Sequence, residues 1–599
     1  MKTKQIIYAL LAVLITCTSC SDYLDQVPDN IMSLEEVFAK RSLTERYLGG
    51  IYTTIPSELK VNGNTSGIGD ELDITFNDYE ENYINIGSMT PSKGYRQSWN
   101  GLYQAIRSAN IFMNRVEGNP DPELPDHLKK QYKAEARFLR AFYYFMLFRW
   151  YGPVVLVGDE EIAADASVTT MSIPRSTVDE CVDYMIKELD KACEEGLLEW
   201  YPNDSEYGRA TIPAARALQS RILLYAASDL FNGNTQYADF KNEDGVNLIN
   251  QTPSKDKWTK AASSAKFFID TYTQFQLYTR MVSNKVDPFQ SYQYLFLEDW
   301  NSEVIFARSD ASYWDHEMNS PRFCNGWSGW DPTQNMVDAY FTASGYPIKD
   351  QLYVNKDPNY KESGTIDADK GYALKGTSNM YVDREPRFYV SVAYDNSKWV
   401  ATAYPQLCEL YFNGNTGKRD GTRNYSRTGY ILRKFSNPAA DVKNNKMPNR
   451  SMLIFRLGEI YLNYAEALNE SDPGNSDILL YVNKVRERAG LPLYGTNEGN
   501  IFLKSTEQNA IRELIRAERR VELGFENHRY FDCKRWKIST TTDNGPFWGM
   551  DVDKARPAFN TRTVFEERVF ETKHYLWPIP QSEIYKNGKL IQNPNWQSF

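Results

Sequence analysis

Between residues 453 and 536 the apolar side chains recur at helical spacing three times in succession, and adjoining amphipathic helices must stack to hide their faces. Leu453, Leu457, Ile460, Tyr464 and Leu468 put one apolar face on the first helix. Ile478, Val482, Val485 and Ala489 make the stripe of the second, with Asp477 in its first turn and Gly490 and Pro492 as its stop. The polar turn over residues 469–475 is short, so this pair is expected to lie antiparallel, as in a helical-hairpin repeat. A third helix carries Ile511, Leu514, Ile515, Val521 and Phe525, and Glu518 and Glu522 fall inside its stripe. Two carboxylates one turn apart resemble an acid/base pair. The surrounding arginines favour structural ion pairs instead: Arg512, Arg516, Arg519, Arg520 and Arg529, with Arg456, Arg486 and Arg488 on the neighbouring helices. A buried carboxylate persists only when paired and hydrogen-bonded.

The same spacing predicts helices over residues 99–118, 132–151, 177–192, 212–231 and 258–272, and Ser33 with Glu36 is a capping box opening a helix toward Tyr52. Helix and short break alternate with a period of roughly 35 to 50 residues, the rhythm of tetratricopeptide-like pairs. The expected fold is therefore mostly α, a tetratricopeptide-like helix-pair scaffold with long irregular loop inserts. Two stretches interrupt it. Residues 67–96 mix Asp70, Glu71, Asp73, Phe76, Tyr79, Tyr83 and Tyr95 with Gly and Asn, and between 299 and 450 the periodicity fades into Gly, Asn and aromatic residues. Long loops of this kind tend to carry function.

In the C-terminal half Phe455-Arg456-Leu457-Gly458-Glu459-Ile460-Tyr461-Leu462-Asn463-Tyr464-Ala465-Glu466-Ala467, Val482-Asn483-Lys484-Val485-Arg486-Glu487-Arg488-Ala489-Gly490-Leu491-Pro492, and Glu518-Arg519-Arg520-Val521-Glu522-Leu523 through Asp532 follow one another in order. Together these motifs resemble the SusD/RagB family, outer-membrane nutrient-uptake lipoproteins of Bacteroidetes. Leu576-Trp577-Pro578-Ile579-Pro580 and Asn593-Pro594-Asn595-Trp596 look like the family's close. Ala134-Glu135-Ala136-Arg137-Phe138-Leu139-Arg140-Ala141, Trp150-Tyr151-Gly152-Pro153 and Pro174-Arg175-Ser176-Thr177 extend the likeness to the N-terminal half. The resemblance implies a glycan-binding face built from the inserts and a SusC-like TonB-dependent transporter as partner.

The start of the chain indicates a compartment. Lys2 and Lys4 precede an apolar run from residue 6 to 15, too short to span a membrane but suited to a signal peptide. Thr18-Ser19-Cys20 resembles a lipobox, making Cys20 the acylated first residue of the mature chain, and the family resemblance implies a place on the outer membrane, facing the cell exterior. Cys17 stands where such motifs usually carry Leu, and a plain secretory peptide is the alternative. The expected organisation is a signal peptide over 1–19, a lipidated tether over 20–30, an N-terminal helical half over 31–298, a loop-rich glycan-binding insert over 299–450 and a C-terminal half over 451–599, one compact unit overall. Cys181 and Cys193 share a helix about 18 Å apart by its rise, beyond disulfide reach, and are read as free thiols.

A net charge of −10 argues against nucleic acid as a partner, which rewards clustered Lys and Arg. Aromatic residues make up 14% of the chain, including 41 Tyr and 13 Trp, and flat rings with polar edges suit sugar faces. Tyr313, Trp314, Trp327 and Trp330 crowd around Pro321 and Gly326; with Asp73, Tyr95 and Trp99 they are the candidate ligand-binding residues, rings for pyranose faces and polar groups for hydroxyls. No catalytic set emerges: the histidines are scattered, His-Glu-x-x-His and Gly-x-Ser-x-Gly are absent, and Gly414-Asn415-Thr416-Gly417-Lys418-Arg419 falls short of a phosphate loop. Asp367-Ala368-Asp369-Lys370-Gly371 starts like a calcium loop but lacks the fifth-position ligand and the closing Glu, so no cofactor is expected. The reading is a non-enzymatic surface lipoprotein that captures an oligosaccharide for import. The alternatives are an extracellular glycoside hydrolase, which needs two facing acids, and a peptide-capturing uptake protein.

Overall fold

The computed structural model describes residues 32–57, 60, 64–95, 98–159, 161, 167–309, 313–349, 355–495 and 499–596, so Cys20 and the expected leader lie outside the described residues. Ser33 and Glu36 form the predicted reciprocal capping box, at 3.2 and 2.8 Å, but the helix it opens stops at Val37. The chain turns at Phe38 and restarts as α1 (Arg41–Tyr52).

The scaffold continues with α2 (Ser98–Arg115), α3 (Asp126–Tyr151), α4 (Val178–Glu195), α5 (Ile212–Ala227) and α6 (Lys255–Thr271), each packed on the one before. Local signals set the boundaries. Thr177 and Glu180 make a capping box at the start of α4, and Thr211 caps α5 with Pro213 in its first turn. Helix α3 is buried on nearly every side from Tyr132 onward, which identifies it as the central member of the stack. Its charges are accordingly paired: Arg137 with Glu188 and Glu195 at 3.0 and 2.8 Å, and Arg140 with Glu188. Cys181 and Cys193, both on α4, are free thiols, and burial pushes Cys181 up to about 12.

The next helix to pack on α6 comes only after the insert: α7 (Leu457–Ser471), which in turn carries α8 (Ser476–Arg488) and α9 (Gln508–Glu522). The stack runs through because the insert is closed at its base. Before the insert the chain forms a strand over Val304–Arg308, and it returns as one over Met452–Arg456; the two pair antiparallel, Val304 opposite Arg456 and Arg308 opposite Met452. Leu453 therefore sits in a strand and not in the predicted first helix. Met452-Leu453-Ile454-Phe455 is an unbroken apolar run, the pattern of a buried strand, and extended backbone at Arg456 separates it from α7.

Residues from both ends of the chain meet in one knot. Trp150 and Trp577 lie 4.2 Å apart, and Trp577 donates its backbone N–H to Trp150 O at 2.9 Å. Arg175, fully buried, donates to the carbonyls of Pro153 and Ile591 and to Asn593 Oδ1, each at 2.8 Å. The N-terminal and C-terminal motifs are thus two sides of one contact.

A second apolar core underlies the insert, built on Tyr313, Trp330, Tyr340, Phe388 and Tyr430 and joined by Leu72, Ile74 and Phe76 from the early loop. The sequence suggested loops here; the aromatic residues instead pack on one another. Helix α9 serves both cores, giving Ile511, Leu514 and Ile515 to the helical one and Val521 to the other, with Phe525 following beyond its end.

Glu518 and Glu522 lie where the two cores meet, fully buried. Glu522 takes Arg456 at 2.8 Å, Arg387 at 3.0 Å and Arg488; Glu518 takes Arg387 at 2.7 Å and Arg486 at 3.0 Å. Glu303 joins through Arg456 and Arg488, Glu526 through Arg456 and Lys434, and Glu385 through Arg387, so the positive and negative charges balance. The partners differ from part of the expected set. Arg512 pairs with Glu470, Arg519 with Asp532, and Arg520 and Arg529 with Asp70, whereas Arg387 comes from the insert. This mutual satisfaction makes the two carboxylates structural.

Candidate functional site

Of the four rings that crowd around Pro321 in the sequence, the fold sends two inward and two outward. Tyr313 is buried, donates its hydroxyl to Ser451 O at 3.0 Å and lies under the Arg450 guanidinium at 3.7 Å. Trp330 is buried in a three-residue strand, Trp330–Pro332, paired with Leu72–Ile74. Trp314, the residue after Tyr313, is 42% exposed, and Trp327 is half-buried with its ring 5.7 Å from that of Trp314, edge to face.

The loop that holds Trp327 is specified residue by residue. Its N–H donates to Met318 O at 2.6 Å, and Ser328 donates its N–H to Ser320 O and accepts from Arg322 N, both at 3.0 Å. Gly326 is required by close approach: a Cβ there would stand 2.0 Å from Ser320 O. Gly329 is required because a Cβ would meet the Phe76 ring at 2.5 Å. That buried ring backs the surface from beneath, with Phe76 6.3 Å from Trp327 and 5.3 Å from Tyr79, both edge to face. Arg423 stacks over Phe76 at 4.7 Å and pairs with Asp78 at 3.0 Å; Arg427 donates to Asn77 at 3.2 Å. The result is a platform of rings of different tilt, edged by guanidinium, amide and carboxylate groups, an arrangement that can stack on sugar C–H faces and bind hydroxyls without breaking a bond.

The remaining candidates from the sequence serve this surface from behind or stand apart from it. Asp73 is fully buried and faces Asp331 directly across the short strand pair. Burial pushes Asp73 up to about 6 and Asp331 well above the usual carboxylate range. Asp331 accepts from Arg427 N at 2.8 Å, and Asp73 lies 3.6 Å from the Arg427 guanidinium, so the pair fixes the arginine that edges the platform. Tyr95 is buried and stacks on the exposed Tyr83 at 5.3 Å. Trp99 is interior, edge-on to Tyr151 at 5.1 Å in the terminal knot. Asp367 and Asp369 lie in an exposed turn where Asp369 accepts from Lys375 N at 2.8 Å. Among the described residues Asp70, Cys533 and Asp543 could geometrically hold a metal, but Asp70 is already gripped by Arg520 and Arg529 at 2.7 and 2.9 Å.

Two family profiles divide this chain: the SusD family matches residues 300–596, and a family described as starch-binding, associating with outer membrane, matches residues 22–224. The chain belongs to the SusD/RagB family. Its SusD-like relatives include SusD-like protein P2 of Formosa agariphila, 24% identical with 99% of each chain covered. The starch-binding protein SusD of Bacteroides thetaiotaomicron is 23% identical, with 82% of this chain and 77% of that one covered. Among solved structures, a SusD-like protein from Bacteroides fragilis superposes with a TM-score of 0.72 at 25% identity, covering 94% of this chain and 99% of that one. A laminarin-binding SusD-like protein superposes with a TM-score of 0.55 at 17% identity, covering 93% and 100%.

In this SusD-family chain the sequence reading missed Arg423 and Arg427. The available signal was a run of positive charge, Lys418-Arg419 through Arg423 and Arg427, in an otherwise acidic protein. Glu71, named with the early loop in the sequence, is fully buried and accepts from Phe525 N at 3.2 Å. Burial, and then the neighbouring Asp70 charge, pushes Glu71 up to about 7 from its ordinary 4.5. Because the folded value is raised, the unfolded chain ionises first, and stability falls as pH rises from 4.5 to 7. Glu71→Gln removes that slope. Melting of the variant relative to wild type should improve steadily between pH 4.5 and 8, by up to about 3 kcal/mol; a difference independent of pH would show that Glu71 folds already ionised.

Proposed function

We propose that this SusD-family protein is a cell-surface lipoprotein that captures oligosaccharides and passes them to a SusC-like TonB-dependent transporter in the outer membrane. The observation that carries the capture step is the Trp314–Trp327 pair at the surface, Trp314 opening the short helix Trp314–Met318 and Trp327 set by a loop whose glycines and hydrogen bonds fix its backbone. Rings placed in advance bind with little ordering cost. The starch-binding relative and the family description support a glycan ligand and an outer-membrane setting. Cys20 would supply the anchor.

The hydrolase reading needs two opposed acids open to substrate. The paired acids found here, Glu518 with Glu522 and Asp73 with Asp331, are buried, and Asp78 beside the platform is held by Arg423. Incubating the purified protein with neutral and charged glycans, and with peptides, tests the proposal. Retardation in glycan-containing gels without release of reducing ends is the expected result. Turnover of a glycan by the protein alone, or capture of peptides and no glycan, would replace this reading.

A further inference from the structure

A second cluster of rings lies on different elements, the loop between α4 and α5 and the chain ahead of the Val304–Arg308 strand. Tyr207 and Trp300 stack 4.6 Å apart and 8° from parallel. Buried Tyr201 meets both edge-on, at 5.2 and 5.1 Å, and fastens the loop by donating its hydroxyl to Arg209 O at 3.0 Å. Trp200 leans on Tyr201 and Phe275 yet keeps 45% of its surface in water. A tryptophan with that much exposure beside a preformed ring stack is poorly explained by packing.

Tyr207 is also part of the wall of a cleft of about 290 Å³ that includes Glu45 and Arg209. Gly208 lets the loop close there: its φ is +91°, and a Cβ would stand 2.5 Å from Ser309 Oγ. These charges are already engaged, Glu45 by Arg41 at 2.8 Å and Arg209 by Glu135 and Glu206 at 2.8 and 3.2 Å, while Arg308, also in the wall, donates to Ile55 O. A cleft with a flat aromatic edge and charged groups already engaged by protein partners suits a neutral polyhydroxylated ligand better than an ion. Its size is at the lower end of small-molecule sites, which begin near about 300 Å³.

From this we infer that the Trp200–Tyr207–Trp300 ledge and its cleft form a second saccharide-binding site, for short neutral oligosaccharides, separate from the Trp314–Trp327 platform. The inference rests on the chain being a glycan binder. Two sites on one molecule would raise the avidity for a polymer long enough to reach both.

Titration calorimetry of the full chain with a panel of neutral hexasaccharides, maltohexaose and laminarihexaose among them, tests it on four proteins: wild type, Trp314→Ala/Trp327→Ala, Tyr207→Ala and Tyr207→Phe. Wild type should take up two ligands. The platform variant should keep one, Tyr207→Ala should lose the other by at least about tenfold in affinity, and Tyr207→Phe, which keeps the ring, should behave as wild type. Unchanged melting temperatures exclude misfolding, and Trp200→Ala repeats the test at a residue already largely in water. One ligand in wild type and none in the platform variant overturns the second site and leaves the platform standing. No ligand in wild type removes both.

Discussion

Replacing Glu522 with Ala is expected to cost about 3–5 kcal/mol of unfolding free energy, because removing one partner of a buried ion cluster leaves the others charged and unpaired. Arg456, Arg488 and Arg387 all converge on this carboxylate, and Arg456 and Arg488 keep only Glu303 and Glu526 between them once it is gone. The loss should exceed that of an ordinary surface pair, worth about 0–1 kcal/mol. The acid limb gives an independent reading. Burial opposes ionisation of Glu522, yet Arg488, Arg456 and Arg387 hold its carboxyl far below the ordinary 4.5. A depressed folded value contributes stability that is full above 4.5 and declines as pH falls further. Urea unfolding of wild type and Glu522→Ala should therefore differ most at pH 5 and above, and the gap should narrow below pH 4. A gap that stays constant down to pH 3 would mean that lost packing, and not lost charge, explains the variant.

That cluster also shows where the sequence was legible and where it was not. The stripe of α9 places Glu518 and Glu522 on a buried face, and the density of arginine nearby predicts ion pairs, because both follow from spacing along one helix. The identity of the partners does not, since Arg387 arrives from the insert by a contact across more than a hundred positions of chain. The helices of the stack were readable for the same local reason, with caps such as Thr177 and stops such as Gly490, whose φ is +73°. The strand over Met452–Arg456 was hidden because its apolar residues also fit the next helix's spacing, and only pairing with Val304–Arg308 decides between them. The candidate platform was half legible. Composition located the aromatic cluster, but which rings face water depends on turns: Tyr313 and Trp314 are neighbours in sequence, one interior and the other at the surface.

Removing both Trp314 and Trp327 should abolish glycan binding at the platform while leaving the fold intact. Trp314 already has 42% of its surface in water and Trp327 is half-buried, so their loss opens little core. If the rings are the anchors of the site, each single Ala variant should weaken binding by about 1–3 kcal/mol, and the pair together by more than about a hundredfold. Because the two rings touch edge to face, removing one also frees the other, so the double variant need not equal the sum of the singles. Trp330→Ala supplies the contrast. Its side chain is packed against the His316 ring at 5.2 Å in the second core, and truncating such a residue costs about 3–5 kcal/mol of stability. Affinity gels run below the melting temperature of every variant should thus show Trp330→Ala retarded by glycan nearly as much as wild type, while Trp314→Ala/Trp327→Ala keeps only the weaker retardation that the Tyr207 site supplies. The opposite order would place the ligand on the Trp330 face of the strand Trp330–Pro332 and would move the site away from the surface rings altogether.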